Sequence, residues 1–210
     1  MAFRGWPAEA LEFFEGLEAD NSRAYWQDHR AVYDAAVRGP MDELLAELAP
    51  EFGDGKVFRP YRDVRFSADK APYKTHLGAV LGGGGYVQLS AEGLAAGLGY
   101  WHMSADQLDR FRRAVANDRT GEPLAAVARS LGRQGVEITS IESLKTAPRG
   151  YPKDHPRVEL LRHKGLAAYR RWPVAAWLGT RGAKTRLVGF LRTARPLMDW
   201  LDDHVGPAVG

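Results

Sequence analysis

Two segments of the chain concentrate the charged, hydroxyl and aromatic side chains that could do chemistry. Residues 56–76 contain six Lys or Arg against two Asp, a net charge of +4, whereas the whole chain of 210 residues carries only +3. Guanidinium and ammonium groups mixed with hydroxyls bind phosphate or carboxylate oxygens through charge-assisted hydrogen bonds. This composition predicts an anion-binding site. Its candidate ligand-binding residues are Arg62, Asp63, Arg65, Ser67, Lys70, Tyr73, Lys74 and His76.

A structural alternative for the same segment stays open. Its Arg and Asp side chains can pair with one another and hold a junction between a strand and a loop, without binding any ligand. The residues in question are Arg62, Asp63, Arg65 and Asp69.

Residues 145–164 form a second cation-rich segment, which three prolines make rigid. Pro148 and Pro152 limit the backbone conformations around Arg149, so charged side chains can be held here at low entropic cost. We expect both segments to converge on one pocket in which Asp63, Asp69 and Asp154 orient the cations. The alternative is a well-ordered surface turn. The ligand-binding candidates of this segment are Lys145, Arg149 and Lys164.

The same residue types could support acid–base catalysis. If the protein is an enzyme, Asp69, Asp154 or His155 carries the proton, and Ser67 or a water is the nucleophile. The sequence does not decide among them, and whether the protein is an enzyme stays open.

Known catalytic and cofactor motifs are mostly lacking. Ser67 and Lys70 have the Ser-x-x-Lys spacing of serine β-lactamases, but no Ser-x-Asn element follows. The four glycines at 82–85 are not followed by Gly-Lys-Ser/Thr, so they are not a phosphate-binding P-loop. The six histidines show no metal-ligand spacing. We therefore predict no metal site, and the cofactor stays unknown.

Composition excludes further classes. The chain has no cysteine, which excludes disulfides, thiolate metal sites and thiol redox chemistry. It has neither the apolar core of a signal peptide nor an apolar run long enough for a membrane helix. We expect a cytoplasmic protein with no membrane partner. A basic excess of only three residues is weak support for a nucleic-acid partner.

The N-terminal fifty residues predict three helices. The first follows Pro7 and ends near Glu18, the second has Asn21 as its N-cap and ends at Gly39-Pro40, and the third runs from Pro40 to Pro50. Residues 57–66 then alternate in hydropathy and predict an irregular strand.

The remainder alternates between strands and helices. Residues 77–102 predict an antiparallel meander. A helix with a Ser104–Gln107 capping box and a helix from Pro123 to Gly132 come next. Short strands at 136–140 and 166–172 enclose a short helix around Leu160. The chain then ends in a long helix at 184–204, kinked at Pro196.

This order of elements predicts an α+β fold. A central, mostly antiparallel sheet is flanked by N-terminal, middle and long C-terminal helices. No composition shift marks a linker, so we expect a single domain over 1–210.

Long motifs in this chain resemble the bacterial and fungal family catalogued as domain of unknown function 2461. The resemblance covers nearly the whole chain and includes both cationic segments, which favours one shared site over a purely structural role. It implies no particular reaction. The motifs lie at residues 20–26, 61–67, 69–70, 72–76, 144–145, 147–150, 153–156 and 160–162.

Three functions therefore stay open. We favour a pocket for an anionic small molecule with a phosphate or carboxylate group, acting as a hydrolase or transferase if it is catalytic. The second is a nucleic-acid-binding module, in which Tyr73 and Tyr151 stack on bases. The third is a non-catalytic interaction protein whose charged motifs are a structural network. The oligomeric state stays unknown.

Overall fold

The sequence predicts helices from apolar residues at helical spacing and strands from period-two patterns, and the computed structural model has the corresponding elements. It describes residues 2–65 and 68–209. Its α-helices are α1 Ala8–Ala19, α2 Arg23–Val32, α3 Gly39–Phe52, α4 Ala105–Ala116, α5 Asp118–Arg133, α6 Val158–Arg162 and α7 Gly182–His204. Its strands are β1 Gly55–Val57, β2 His76–Leu81, β3 Gly85–Ser90, β4 Gly93–Tyr100, β5 Glu137–Thr139 and β6 Leu166–Pro173.

Within the described ranges the strands form one antiparallel six-stranded sheet in the order β1-β2-β3-β4-β6-β5. Leu77 of β2 lies opposite Leu89 of β3, which places two buried leucines on the same face. Ile138 of β5 lies opposite Ala168 of β6. The predicted α+β fold class is confirmed.

The chain divides into two compact units. The first comprises residues up to Ala96 together with Arg171–Gly189, and the second comprises Gly97–Arg170 together with the chain from Phe190 onward. The prediction of a single domain over 1–210 stays a prediction.

In the first unit, the N-terminal helices bury one apolar face each, and α3 contacts β1 and β2. Phe14 and Leu17 of α1 are fully buried, as are Leu44 and Leu48 of α3. Burial of side chains of this size is the main stabilising contribution. A carboxylate also joins distant parts of this unit, because Glu47 of α3 accepts hydrogen bonds from the Phe3 amide and from the Lys184 ammonium.

In the second unit, α4 and α5 contact each other and bury Phe111 and Leu124. The Trp200 indole packs edge-on against Phe111 and donates to the Thr120 carbonyl at 2.9 Å. A buried Trp usually needs such an acceptor for its N–H group.

Two expected helix boundaries near the N-terminus are wrong. Ser22, not Asn21, caps α2, since its hydroxyl accepts from the Tyr25 amide at 3.1 Å. The helix also does not break before Pro40, because a π-helical segment, Tyr33–Arg38, joins α2 to α3. The wider backbone of a π-helix removes the carbonyl contact that makes proline unfavourable in an α-helix.

Three further boundaries differ from expectation. Helix α3 runs to Phe52 rather than stopping at Pro50, and α5 begins at Asp118, five residues before Pro123. Of the irregular strand expected at 57–66, only Val57 lies in a strand, at the end of β1, and Tyr61 forms a β-bridge, while Phe66 lies outside the described residues. Its alternating residues are Arg and Asp, which bond to one another instead of packing on a core.

The other predicted elements are confirmed. The meander is present as β2 to β4, and β5, α6 and β6 lie close to their expected positions. The Ser104 amide donates to Gln107 Oε1 at 3.0 Å, as the capping box requires. Helix α7 continues past Pro196 to His204.

Candidate functional site

The first cationic segment folds into a short antiparallel arm. Tyr61 and Tyr73 form a β-bridge, the Arg62 amide donates to the Pro72 carbonyl at 2.9 Å, and the Lys74 amide donates to the Pro60 carbonyl at 2.8 Å. The arm therefore places Arg62 beside the stretch that leads into β2.

Asn21 attaches this arm to the helices. Its side-chain amide donates to the Tyr73 carbonyl at 3.1 Å, and its carbonyl oxygen accepts from the Tyr73 amide at 3.0 Å. The buried Tyr73 ring stacks on Trp26 with centroids 4.5 Å apart. These contacts hold the base of the arm against the connection between α1 and α2.

The charged side chains along the arm pair with one another. Arg62 donates to Asp69 at 2.5 Å, and Arg65 donates to both carboxylate oxygens of Asp63 at 2.9 and 2.7 Å. The Lys70 ammonium donates to the Val64 carbonyl at 3.0 Å. These pairs are the ones that the structural alternative predicts, but solvent-exposed pairs of this kind contribute little stability.

The pairing keeps both aspartates ionised. The Ala71 amide, followed by the Arg62 guanidinium, holds the pKa of Asp69 below its usual range. The Arg65 side chain, followed by its backbone amide, does the same for the pKa of Asp63. A carboxylate whose pKa is lowered is a poor proton carrier near neutral pH, so the geometry suits Asp69 to orienting Arg62.

A cleft of about 430 Å³ opens beside the arm, within the range of small-molecule sites. Five of the predicted site residues line it: Arg62, Asp69, Tyr73, Lys74 and His76. The remaining lining residues are Glu18, Asn21, Ala71 and Thr75. Asp63, Arg65 and Lys70 do not line it, and Ser67 lies outside the described residues.

Lys74 is a cation of this cleft whose ammonium has no hydrogen-bonded or ionic partner in the described part of the chain. Its ammonium lies 5.4 Å from the centre of the Phe58 ring, and no residue in 2–65 or 68–209 forms a hydrogen bond or ion pair with it. The neighbouring His76 is half-buried, and burial, followed by the charge of Lys74, lowers its pKa. His76 is therefore neutral at pH 7, with one ring nitrogen that donates and one that accepts.

The cleft also holds acidic groups. Glu18 lines it, and within the described ranges no cation pairs with its carboxylate. Arg62 and Lys74 are thus matched by Glu18 and Asp69, so the cleft is balanced in charge, whereas the sequence predicts a cationic pocket. Sequence reasoning assigned Glu18 no function and assigned Asn21 only a capping role, although Asn21 lies in one of the family motifs.

The second cationic segment belongs to the second unit. Residues 142–144 pair with 162–164, through a Ser143–His163 β-bridge and a hydrogen bond from the Leu144 amide to the Arg162 carbonyl at 2.8 Å. Among the predicted ligand contacts, the Lys164 ammonium already donates a hydrogen bond to the Glu142 carboxylate at 2.7 Å. That bond, together with the charge of Lys164, holds the pKa of Glu142 below its usual range.

The other candidates of this segment differ in their environment. Lys145, Arg149 and Asp154 are exposed, and none of them is joined by a side-chain hydrogen bond or ion pair to another residue in the described part of the chain. The His155 Nδ1 accepts from the Arg157 amide at 3.0 Å, which leaves only Nε2 for other contacts. Since the two segments lie in different units, the expectation of one shared pocket stays a prediction.

A serine–histidine cluster in the second unit was not predicted. The hydroxyls of Ser140 and Ser143 lie 2.8 and 2.9 Å from Nδ1 of His163, and Ser140 also donates to the Glu142 carbonyl at 2.7 Å. Burial is the main cause that lowers the pKa of His163. Nothing in the spacing of these three residues along the chain indicates that they meet.

Arg157 was also missed, although it is 4% exposed. Its guanidinium donates to the carbonyls of Val115 and Ala116 and to the carboxylates of Asp118 and Glu122, all at 2.6–3.0 Å. A buried Arg with this many partners joins the end of α4 to the start of α5, so its role is structural.

Two further features are absent from the described ranges. No helix there is both long enough and apolar enough to cross a bilayer. No three His, Asp or Glu side chains come together there as ligands for a metal ion.

Comparison with known proteins is consistent with the motifs in both units. A family model described as "Conserved hypothetical protein (DUF2461)" matches residues 9–200. No curated protein and no solved structure matches the chain. Because the matched range covers nearly the whole sequence, the chain belongs to the DUF2461 family of conserved hypothetical proteins.

Proposed function

We propose that the cleft of the first unit binds a small ligand through a phosphate or carboxylate group. The observation that carries this proposal is Lys74, which lines the cleft and whose ammonium has no hydrogen-bonded or ionic partner among the described residues. A charged group held at a cleft wall without a partner gains a strong hydrogen bond when an anion binds.

Neighbouring groups support the same ligand chemistry. The pair with Asp69 occupies one nitrogen of Arg62, which leaves the Nε and Nη2 donors of its guanidinium without a described partner. Thr75 and the neutral His76 add donors that do not repel an anion. The hydrogen bonds from Asn21 to Tyr73 hold this wall in place before the ligand arrives.

Should the cleft also catalyse a transfer or a hydrolysis, His76 suits the proton carrier better than Asp69. A neutral imidazole can take up a proton near pH 7, whereas Asp69 is held as an ion by Ala71 and Arg62. Asp154 and His155 lie in the other unit and have no part in this proposal.

Isothermal titration calorimetry with inorganic phosphate and with acetate tests the binding. We expect saturable binding of one of these anions, weakened about tenfold or more by Lys74→Gln, because a hydrogen bond to a charged group contributes about 1.5–3 kcal/mol. Lys56→Gln is the matched control, since this exposed lysine of β1 does not line the cleft. Absence of saturable binding, or equal effects of the two variants, would contradict the proposal.

A nucleic-acid interface is the second candidate, favoured by two exposed rings. Tyr61 is 47% exposed, and Phe58, whose ring centre lies 5.4 Å from the Lys74 ammonium, is 38% exposed. Exposed rings beside cations hold single strands by stacking. Fluorescence anisotropy of a labelled oligothymidine decides: binding that falls steeply with salt and is weakened by Tyr61→Ala would favour this candidate over the small-ligand cleft.

A further inference from the structure

We propose that the ligand of this cleft is zwitterionic, carrying an ammonium group together with its anionic group, as an amino acid does. The inference rests on the proposed function, because it concerns the same cleft and keeps Lys74 as the contact of the anionic group. It adds Glu18 as the contact of the ligand's ammonium.

The charges of the cleft support this ligand class. The Asp69 carboxylate already accepts hydrogen bonds from Arg62 and from the Ala71 amide, so its charge is largely neutralised within the protein. That leaves the Lys74 ammonium and the Glu18 carboxylate as the two charged groups of the cleft without a described partner. A simple anion on Lys74 would share the cleft with Glu18 and be repelled by it, whereas a zwitterion satisfies both groups.

The position of Glu18 in α1 is a second, independent observation. Glu18 lies in the last turn of a helix that ends at Ala19, where the peptide dipoles already place partial negative charge, and that turn contains no basic residue. A carboxylate there is unfavourable for the helix itself. Both the carboxylate and the helix end attract a cation, so a bound ammonium would offset this cost.

The two contacts are held by rigid elements. The backbone of Glu18 is fixed in α1, while Lys74 directly follows Tyr73, whose backbone is bonded at both its amide and its carbonyl to Asn21. Asn21 itself follows Glu18 by three residues, so the same side chain joins the two walls of the cleft. Preorganised groups of opposite charge favour ligands that present both charges at a matching separation.

The test compares three ω-amino acids, glycine, β-alanine and γ-aminobutyrate, with the carboxylates that lack the amine, acetate, propionate and butyrate. We expect at least one amino acid to bind the wild-type protein ten times more tightly than its matched carboxylate. Glu18→Gln should remove this difference without weakening carboxylate binding. Lys74→Gln should weaken the binding of both the amino acid and its matched carboxylate. Glu12→Gln, an exposed change on the same helix outside the cleft, should alter neither.

The outcomes separate this inference from the proposed function. Equal affinity for every amino acid and its carboxylate, or a difference that persists in Glu18→Gln, overturns the zwitterionic ligand, while carboxylate binding that depends on Lys74 still supports the anion site. Binding of neither class overturns the zwitterionic ligand and leaves the anion site to the phosphate titration, whereas ligand binding unaffected by Lys74→Gln overturns both. A thermal melt of each variant shows whether a lost affinity reflects lost folding.

Discussion

The Asn21 side chain holds the shape of the cleft without bonding to its charged groups. Asn21→Asp keeps the acceptor for the Tyr73 amide but loses the donor to the Tyr73 carbonyl, which then faces a carboxylate oxygen. We expect a loss of about 1–3 kcal/mol in the free energy of unfolding. Urea denaturation measures it.

Asn117→Asp is the matched control for this change. Among the described residues, the Asn117 side chain bonds through its oxygen alone, which accepts from the Arg119 amide at 2.9 Å, so the aspartate keeps the contact. An equal loss in both variants would contradict the role of Asn21.

The hydrogen-bond partners of two histidines determine which of their ring nitrogens carries the proton. Ser140 gives its one proton to the Glu142 carbonyl, so its 2.8 Å contact with Nδ1 of His163 is a hydrogen bond only when Nδ1 carries the proton. His155 is the opposite case, because its Nδ1 accepts from an amide. We expect long-range ¹H–¹⁵N spectra to show the Nδ1–H form for neutral His163 and the Nε2–H form for His155. The reverse assignment for either ring would contradict these contacts.

Single residues also show what the sequence could predict of the site. Arg62, Lys74 and His76 were predicted from local composition, and they do share a cleft because they lie within one short arm. Glu18 enters the same cleft from the last turn of α1, and Asn21 enters it from the connection to α2, through contacts with Tyr73 across 52 residues of chain. No local pattern along the sequence contains such a contact.

At the scale of elements, prolines caused most of the wrong boundaries. Pro40, Pro50 and Pro123 each lie inside a continuous helical run, although local rules place helix ends at or near them. The strands of the meander were predictable, because turn residues and alternating hydropathy agree there. Tertiary packing determines where these helices end, and local sequence patterns do not contain information about that packing.

The junction of α4 and α5 depends on Arg157. Arg157→Met keeps the apolar stem but leaves the Val115 and Ala116 carbonyls without their donor. We expect a loss of about 2–4 kcal/mol in the free energy of unfolding, because hydrogen bonds to a charged group are among the strong ones. Urea denaturation again measures it.

Asp118→Asn controls for the ion pair alone. The Asp118 side chain is 87% exposed, so weakening its pair with Arg157 should cost at most about 1 kcal/mol. Should Arg157→Met cost no more than Asp118→Asn, the junction does not depend on the guanidinium.

At the scale of the whole molecule, stability should fall on both sides of neutral pH. His76 and His163 have folded pKa values below 6.5, so the unfolded chain binds more protons and stability is lost as pH falls through 6.5. Carboxylates with lowered pKa, such as Glu47 and Asp69, extend this loss at lower pH.

At alkaline pH, stability changes with pH in the opposite direction and for another reason. Burial raises the pKa of Tyr33 to about 12, so the unfolded chain loses its proton first and stability is lost as pH rises above 10.0. Urea denaturation from acid to alkaline pH should therefore show a maximum between 6.5 and 10.0. A curve that rises steadily from neutral to acid pH would contradict these shifts, and His76→Gln should flatten the mildly acidic part.

The π-helical segment Tyr33–Arg38 has a consequence for chain length. One wide turn contains an extra residue relative to an α-helix, which shifts the angular phase at which α3 continues from α2. Deleting one residue there would restore a regular α-helix and rotate α3 by about 100°. Leu44 and Leu48 would then leave the core, so the length of this segment determines which face of α3 is buried.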